Sequence, residues 1–323
     1  MLAMTLRRFN LLILAVLACG FAGAVRAATP ALHYVPNLAK AGDRVILDTR
    51  KADLCEEASL PGARCLPAED FLGQGQRLAG FANIAWLLGS AGLTGAEKVL
   101  VVGGNPVRRD FVAGLLHIMG QQDIAVLAGA ITGQSAKLAP GEARAMLREQ
   151  VWQAPARDRV LVFINELRDL VTAGGPPQLL DGRPERAFWG RVQNAARGGH
   201  LPGAEHFPAV NLRSAAARGK VRLPRPGPAV VYGAGPVDGI AYMTLLIAGG
   251  ADVRVFPGGW AKWAANGALP ADAETFPAPA VAEGAAGDFK FSTGVIAGLS
   301  AGLLLGGGLV VTAMWALGRR KVV

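Results

Sequence analysis

The chain of 323 residues is long enough for two domains of ordinary size with anchors at its ends. Its formal charge of +9 gathers at the termini, in Arg7, Arg8 and Arg26 and in Arg319, Arg320 and Lys321, and leaves the middle nearly balanced. No Lys/Arg run in that middle could track a phosphate backbone, which excludes a nucleic-acid partner.

The N-terminus has the layout of an export signal. Arg7 and Arg8 make a positive start, residues 11–18 an apolar stretch, and Val25-Arg26-Ala27 a cleavage site. Residues 1–27 are therefore expected to leave as a signal peptide. Two other readings stand beside this one: an uncleaved anchor, or lipidation at Cys19 after Val16-Leu17-Ala18. Cys55 and Cys65 remain, an even number in an oxidising compartment, and are candidates for a disulfide.

The mature chain then repeats one pattern twice, over residues 33–135 and 158–270. Each copy opens with an aliphatic run ending in Asp-x-Arg: Val45-Ile46-Leu47-Asp48-Thr49-Arg50, and Leu179-Leu180-Asp181-Gly182-Arg183. Such runs read as buried parallel strands. The two Asp/Arg couples, Asp48 with Arg50 and Asp181 with Arg183, are expected to be structural ion pairs. Leu-Pro-Gly-Ala follows in each copy, at residues 60–63 and 201–204, as a turn before a second strand. A third strand then runs into a Gly-rich loop and a helix. The loops are Gly103-Gly104-Asn105-Pro106 and Gly233-Ala234-Gly235-Pro236. A last strand closes each copy, at residues 124–127 and 253–256. The fold class is therefore α/β, with two domains that each have a parallel sheet flanked by helices.

Residues 136–157 read as a polar, largely helical connector. Residues 271–291, rich in Pro, Ala and Gly, read as a flexible stalk. Residues 294–317 carry no charge and are followed by Arg319-Arg320-Lys321. Two dozen residues at about 1.5 Å each cross a hydrocarbon core of about 30 Å. A transmembrane helix is expected over 292–318, with residues 319–323 in the cytoplasm and the bulk of the chain in the periplasm, held at the inner membrane. The alternative is a buried helix of the globular part. Gly294, Gly298, Gly302 and Gly306 recur every four residues, so they share one helix face. Small residues at that spacing let two helices approach, which points to self-association or a protein partner in the membrane.

At domain spacing, the second copy resembles the rhodanese (sulfurtransferase) family. Leu180-Asp181-Gly182-Arg183 and Arg197-Gly198-Gly199-His200-Leu201-Pro202-Gly203-Ala204 look like its opening motifs. Gly258-Gly259-Trp260-Ala261-Lys262-Trp263 looks like its closing Gly-Gly-Trp-x-x-Trp. The first copy is similar but eroded: Ser59 stands opposite His200, and Ala128-Gly129-Ala130-Ile131 replaces the closing motif. The resemblance implies a tandem rhodanese with a degenerate first domain.

It also exposes a departure. Working members carry a cysteine after the third strand, and here Gly103 and Gly233 stand at that point. Sulfur transfer needs a thiolate that can be carried as a persulfide, and glycine has none. Phosphatases with this fold need the same cysteine. The loops are expected either to be relics or to bind an anion through their backbone N–H groups. Arg108 and Arg109 favour the first loop for an anion, and Asp238 opposes one at the second. His200 is expected to hydrogen-bond within its turn. No catalytic residue, metal or cofactor is expected, and Gly235 to Gly239 lacks the spacing of a dinucleotide loop. The whole reads as a membrane-anchored accessory or binding subunit. The alternatives are a sulfurtransferase using a cysteine from a partner or from Cys55 and Cys65, and a purely structural subunit.

Overall fold

A computed structural model describes residues 32–173 and 178–273. The expected signal peptide, the transmembrane helix with Gly294, Gly298, Gly302 and Gly306, the cytoplasmic tail and most of the stalk lie outside the described residues. Among the described residues no helix is long and apolar enough to cross a membrane.

The first part of the chain builds strands β1 (Leu32–Val35) and β2 (Val45–Asp48), helix α1 (Ala52–Glu57), strand β3 (Arg64–Cys65), a hairpin of β4 (Leu72–Gly73) and β5 (Arg77–Leu78), helix α2 (Phe81–Ser90), strand β6 (Lys98–Val102), helix α3 (Pro106–Ile118) and strand β7 (Asp123–Leu127). Five of these strands form one sheet in the order β1-β7-β6-β2-β3, every pair parallel. The aliphatic runs of β6 and β7 are buried on both faces, as a sheet covered by helices requires.

The second part repeats the plan with helix α4 (Ile164–Thr172), strand β8 (Gln178–Asp181), helix α5 (Glu185–Phe188), strand β9 (Glu205–His206), helix α6 (Arg213–Ala216), strand β10 (Ala229–Tyr232), helix α7 (Pro236–Ala248), strand β11 (Val253–Val255) and helix α8 (Gly259–Ala264). Its parallel sheet has the order β11-β10-β8-β9. In both parts the Leu-Pro-Gly-Ala turn closes with an amide of Ala63 or Ala204 donating to the carbonyl three residues back, at 3.0 Å. Gly62 and Gly203 take φ of +71° and +73° there, the left-handed third position of a Pro-Gly turn.

The two sheets share one core through α3 and α7. Gly114 makes the contact close. A Cβ on it would lie 2.5 Å from both Ile240 Cγ2 and Thr244 Oγ1. Thr244 Oγ1 donates across the contact to the Asp110 carbonyl at 2.8 Å. Beside it, fully buried Asp110 pairs with Arg109 of its own helix and with Arg213 of α6.

The connector corrects the sequence reading. Residues 136–157 form no helix. Pro140 and Pro155 interrupt the segment, and its backbone is used by the first sheet instead. Ser59 and Ala139 exchange two hydrogen bonds, of 2.7 and 2.9 Å. Gly141 N–H donates to Cys55 O, Glu142 N–H to Ala63 O, and Gln150 N–H to Gly89 O. These tertiary bonds outweigh the helical propensity of residues 143–152. Just beyond the segment, Leu161 bridges Val255 of β11 in parallel.

Candidate functional site

The second Gly-rich loop sits where β10 hands over to α7. Tyr232, the last residue of β10, is fully buried, and its hydroxyl accepts from Leu201 N–H at 3.2 Å. Burial first, and buried Asp181 second, push this phenol well above its ordinary range. Asp181 accepts from Arg183 N, Nε and Nη2, the last at 2.6 Å, and the same guanidinium reaches Gly199 O at 2.8 Å. It also lies 4.9 Å from the Trp260 ring centre, within cation–π range. Asp48 and Arg50 repeat the pairing in the first part, with Ser59 Oγ donating to Asp48 at 2.6 Å. These groups brace the strand ends. His200 stacks on Phe188 with ring centres 3.7 Å apart, and its Nδ1 contacts the Phe188 carbonyl at 2.9 Å.

The loop itself is tightly held. Gly233 O accepts from Trp260 N–H and Ala234 O from Ala261 N–H, each at 2.9 Å. Gly259 makes this fit: its φ is +58°, and a Cβ would lie 2.7 Å from Gly233 O. From the other side, the first turn of α7 crowds Gly233. A Cβ at 233 would stand 2.6 Å from Gly239 N and 2.8 Å from Asp238 Cβ. The loop therefore lacks a nucleophile and also lacks the space for one. Gly103 is similar, since its Cβ would meet Thr49 Oγ1.

In the first loop, expected to be the better anion site, several donors are already taken. Asn105 Oδ1 accepts from Val107 N–H and Arg108 N–H, so the amides that would bind an anion are capped from within. Arg108 pairs with Glu69. Arg109 is 3% exposed and bound to Asp110, with its guanidinium 5.8 Å from the Tyr34 ring. Gly104 lies over the Arg50 side chain. Charge was visible in the sequence, but the partners that consume it were not.

Cys55 and Cys65 are joined, with Cα atoms 5.8 Å apart. Both are buried, and Gly141 lies so close that a Cβ there would meet Cys55 Sγ at 2.6 Å. In this state neither sulfur can attack a substrate.

Two hollows flank the second loop. One, of about 160 Å³, is lined by Gly182, Gly233, Ala234 and Asp238 together with Arg183 and Arg213. Both arginines are already paired with carboxylates, so Asp238 sets its character, and that disfavours an anion. The other, of about 670 Å³, runs between the β4–β5 hairpin and the Pro236 and Phe256–Lys262 side of the loop. Sequence reasoning missed this cleft. Its only local signal was the Gly73-Gln74-Gly75-Gln76 stretch that turns the hairpin.

A strand-loop-helix cradle closed by a Gly-Gly-Trp element, on a parallel sheet, is the decisive arrangement. Residues 164–266 match the rhodanese-like domain family. A curated protein of Synechococcus elongatus, named "Putative thiosulfate sulfurtransferase", is 31% identical over 128 residues. That alignment covers 39% of this chain and 39% of the relative. The crystal structure of a probable thiosulfate sulfurtransferase superimposes with a TM-score of 0.54 at 24% identity, covering 72% of this chain and 98% of that one. Tum1 of Saccharomyces cerevisiae gives 0.64 at 15% identity, covering 76% and 99%. At these identities the two structures establish a shared fold alone. The rhodanese-like fold thus rests on the family match, the homologue and the parallel sheets together.

Proposed function

We propose that this is a membrane-anchored periplasmic protein of two rhodanese-like domains, residues 33–135 and 158–270, that acts as a non-catalytic binding or accessory subunit of a membrane complex. The observation that carries the reading is Gly233. The backbone of α7 occupies the place of its missing Cβ, so a sulfur-carrying side chain is absent and unaccommodated. The export signal and the uncharged C-terminal run support the location, and the glycine face supports a partner in the membrane.

The test is a thiosulfate:cyanide assay on the full chain, alone and co-purified in mild detergent with whatever it binds. No turnover by the chain alone is expected; turnover there would end the proposal. The homologue's name favours one second reading, a sulfurtransferase that borrows a partner's cysteine. It predicts turnover in the co-purified sample only. For the anchor, Gly298→Ile with Gly302→Ile should weaken crosslinking in membranes, whereas Leu299→Ile with Leu303→Ile should not. Equal behaviour of the two pairs would remove the glycine face as an interface.

A further inference from the structure

The cleft of about 670 Å³ falls within the size range of small-molecule sites. Its walls are apolar, with Phe81 and Phe163 at the surface and Phe256 and Ile164 deeper. Phe163 is 61% exposed and Phe81 37% exposed, a large apolar area left to water. The charged residues of its lining are Arg77, on β5, and Lys262, on α8. They come from opposite parts of the chain, and no acidic residue lines the cleft. Among the described residues neither cation has an ion-pair partner, although most of the other arginines around the loops do. An apolar cleft edged by two unpaired cations fits one chemistry. We propose that it binds an amphipathic anion: a hydrocarbon or aryl body with a single carboxylate, sulfate or phosphate head.

The apolar body would cover Phe81 and Phe163, and the head would lie between Arg77 and Lys262, where a charged hydrogen bond needs no burial of the cation. A cationic amphiphile meets like charge there, and a small inorganic anion leaves the aromatic surface uncovered. Because the hairpin belongs to the first part and the loop to the second, one ligand would touch both. The inference builds on the accessory reading, since it assigns the ligand of a site that performs no sulfur chemistry.

The experiment uses the full chain in membranes and a diazirine-bearing laurate as probe, with adducts mapped by peptide mass spectrometry. Labelling is expected on peptides containing Phe81, Phe163 and Phe256. Excess laurate or dodecyl sulfate should compete, whereas dodecyltrimethylammonium and thiosulfate should not. Half-competition at a lower concentration of laurate than of dodecyl phosphate would identify a fatty acid, and the reverse order a lipid phosphate. Arg77→Glu with Lys262→Glu should cut labelling about tenfold. Phe163→Ala, at an exposed position, should also reduce it without affecting the fold. Labelling elsewhere, labelling unchanged by charge reversal, or equal competition by the cationic amphiphile would overturn the proposal. Thiosulfate:cyanide turnover is measured on the same sample. Turnover would overturn the accessory reading, whereas absent labelling overturns only the ligand.

Discussion

Gly233→Ala adds one methyl to the second loop, and the structure sets what it should cost. The new Cβ would lie 2.6 Å from Gly239 N and 2.8 Å from Asp238 Cβ. The first turn of α7 cannot retreat freely, because Gly239 N–H donates to Gly235 O at 2.9 Å. The loop cannot retreat the other way either, because its carbonyls are held by Trp260 and Ala261 N–H. Overpacking of this kind costs about 1–3 kcal/mol. For a domain of this size that is a fall of roughly 2–12 °C in melting midpoint. Urea unfolding and thermal melts followed by circular dichroism measure it. Gly235→Ala is the control, since nothing lies within 4 Å of a Cβ there. It should fall within about 0.5 kcal/mol of the parent. Gly233→Cys should be at least as costly as the alanine and should not create turnover. If Gly233→Ala matches Gly235→Ala, the loop has room and the spatial argument is wrong.

Other outcomes follow from the same geometry. Asp110→Ala leaves buried Arg109 without its counter-charge and should cost about 3–5 kcal/mol in urea unfolding; a loss under about 1 kcal/mol would show that the cluster is solvated. Burial, followed by the charge of Arg157, lowers His117 from 6.5 to about 4. The unfolded imidazole therefore takes its proton first, and stability should fall as pH drops from about 6.5 toward 4, by about 3 kcal/mol in all, with none of this loss above that window. His117→Gln should flatten that slope, and an unchanged slope would assign it to other groups. Cys55→Ala with Cys65→Ala should cost about 2–3 kcal/mol, given a sequence separation of 10, and alkylation without reductant should label neither cysteine of the parent.

Much of the architecture could be read from short-range pattern. β2, β6, β7, β8, β10 and β11 are aliphatic or β-branched runs bounded by Gly, Pro or Asp, and a buried parallel strand has few other ways to look. β1 was harder, since His33 and Tyr34 dilute its apolar signal and its pairing with β7 spans some ninety residues. Residues 143–152 misled for a physical reason: their side chains suit a helix, while their backbone finds partners at Gly89 and Ser90 that no local rule foresees. At the site, the glycines at 103 and 233 were plain in the sequence. The fate of Arg109 was not, because Asp110 adjoins it in the chain but Arg213, which shares that carboxylate, is far away. Likewise Arg77 and Lys262, far apart in the chain, line one cleft only in the fold.

One stretch of chain guards two exposed borders. The start of the connector, at Ala139 to Glu142, lies along the β3 side of the first sheet, and the chain just beyond its end, at Leu161, lies along the β11 side of the second. Unpaired strand borders recruit other chains, and a chain is vulnerable to this while it folds. Here each sheet has one such border covered by the same covalent segment, in the order in which the chain emerges. Shortening the connector would therefore open both borders at once, so that aggregation, rather than loose coupling between the two parts, is the failure its length prevents.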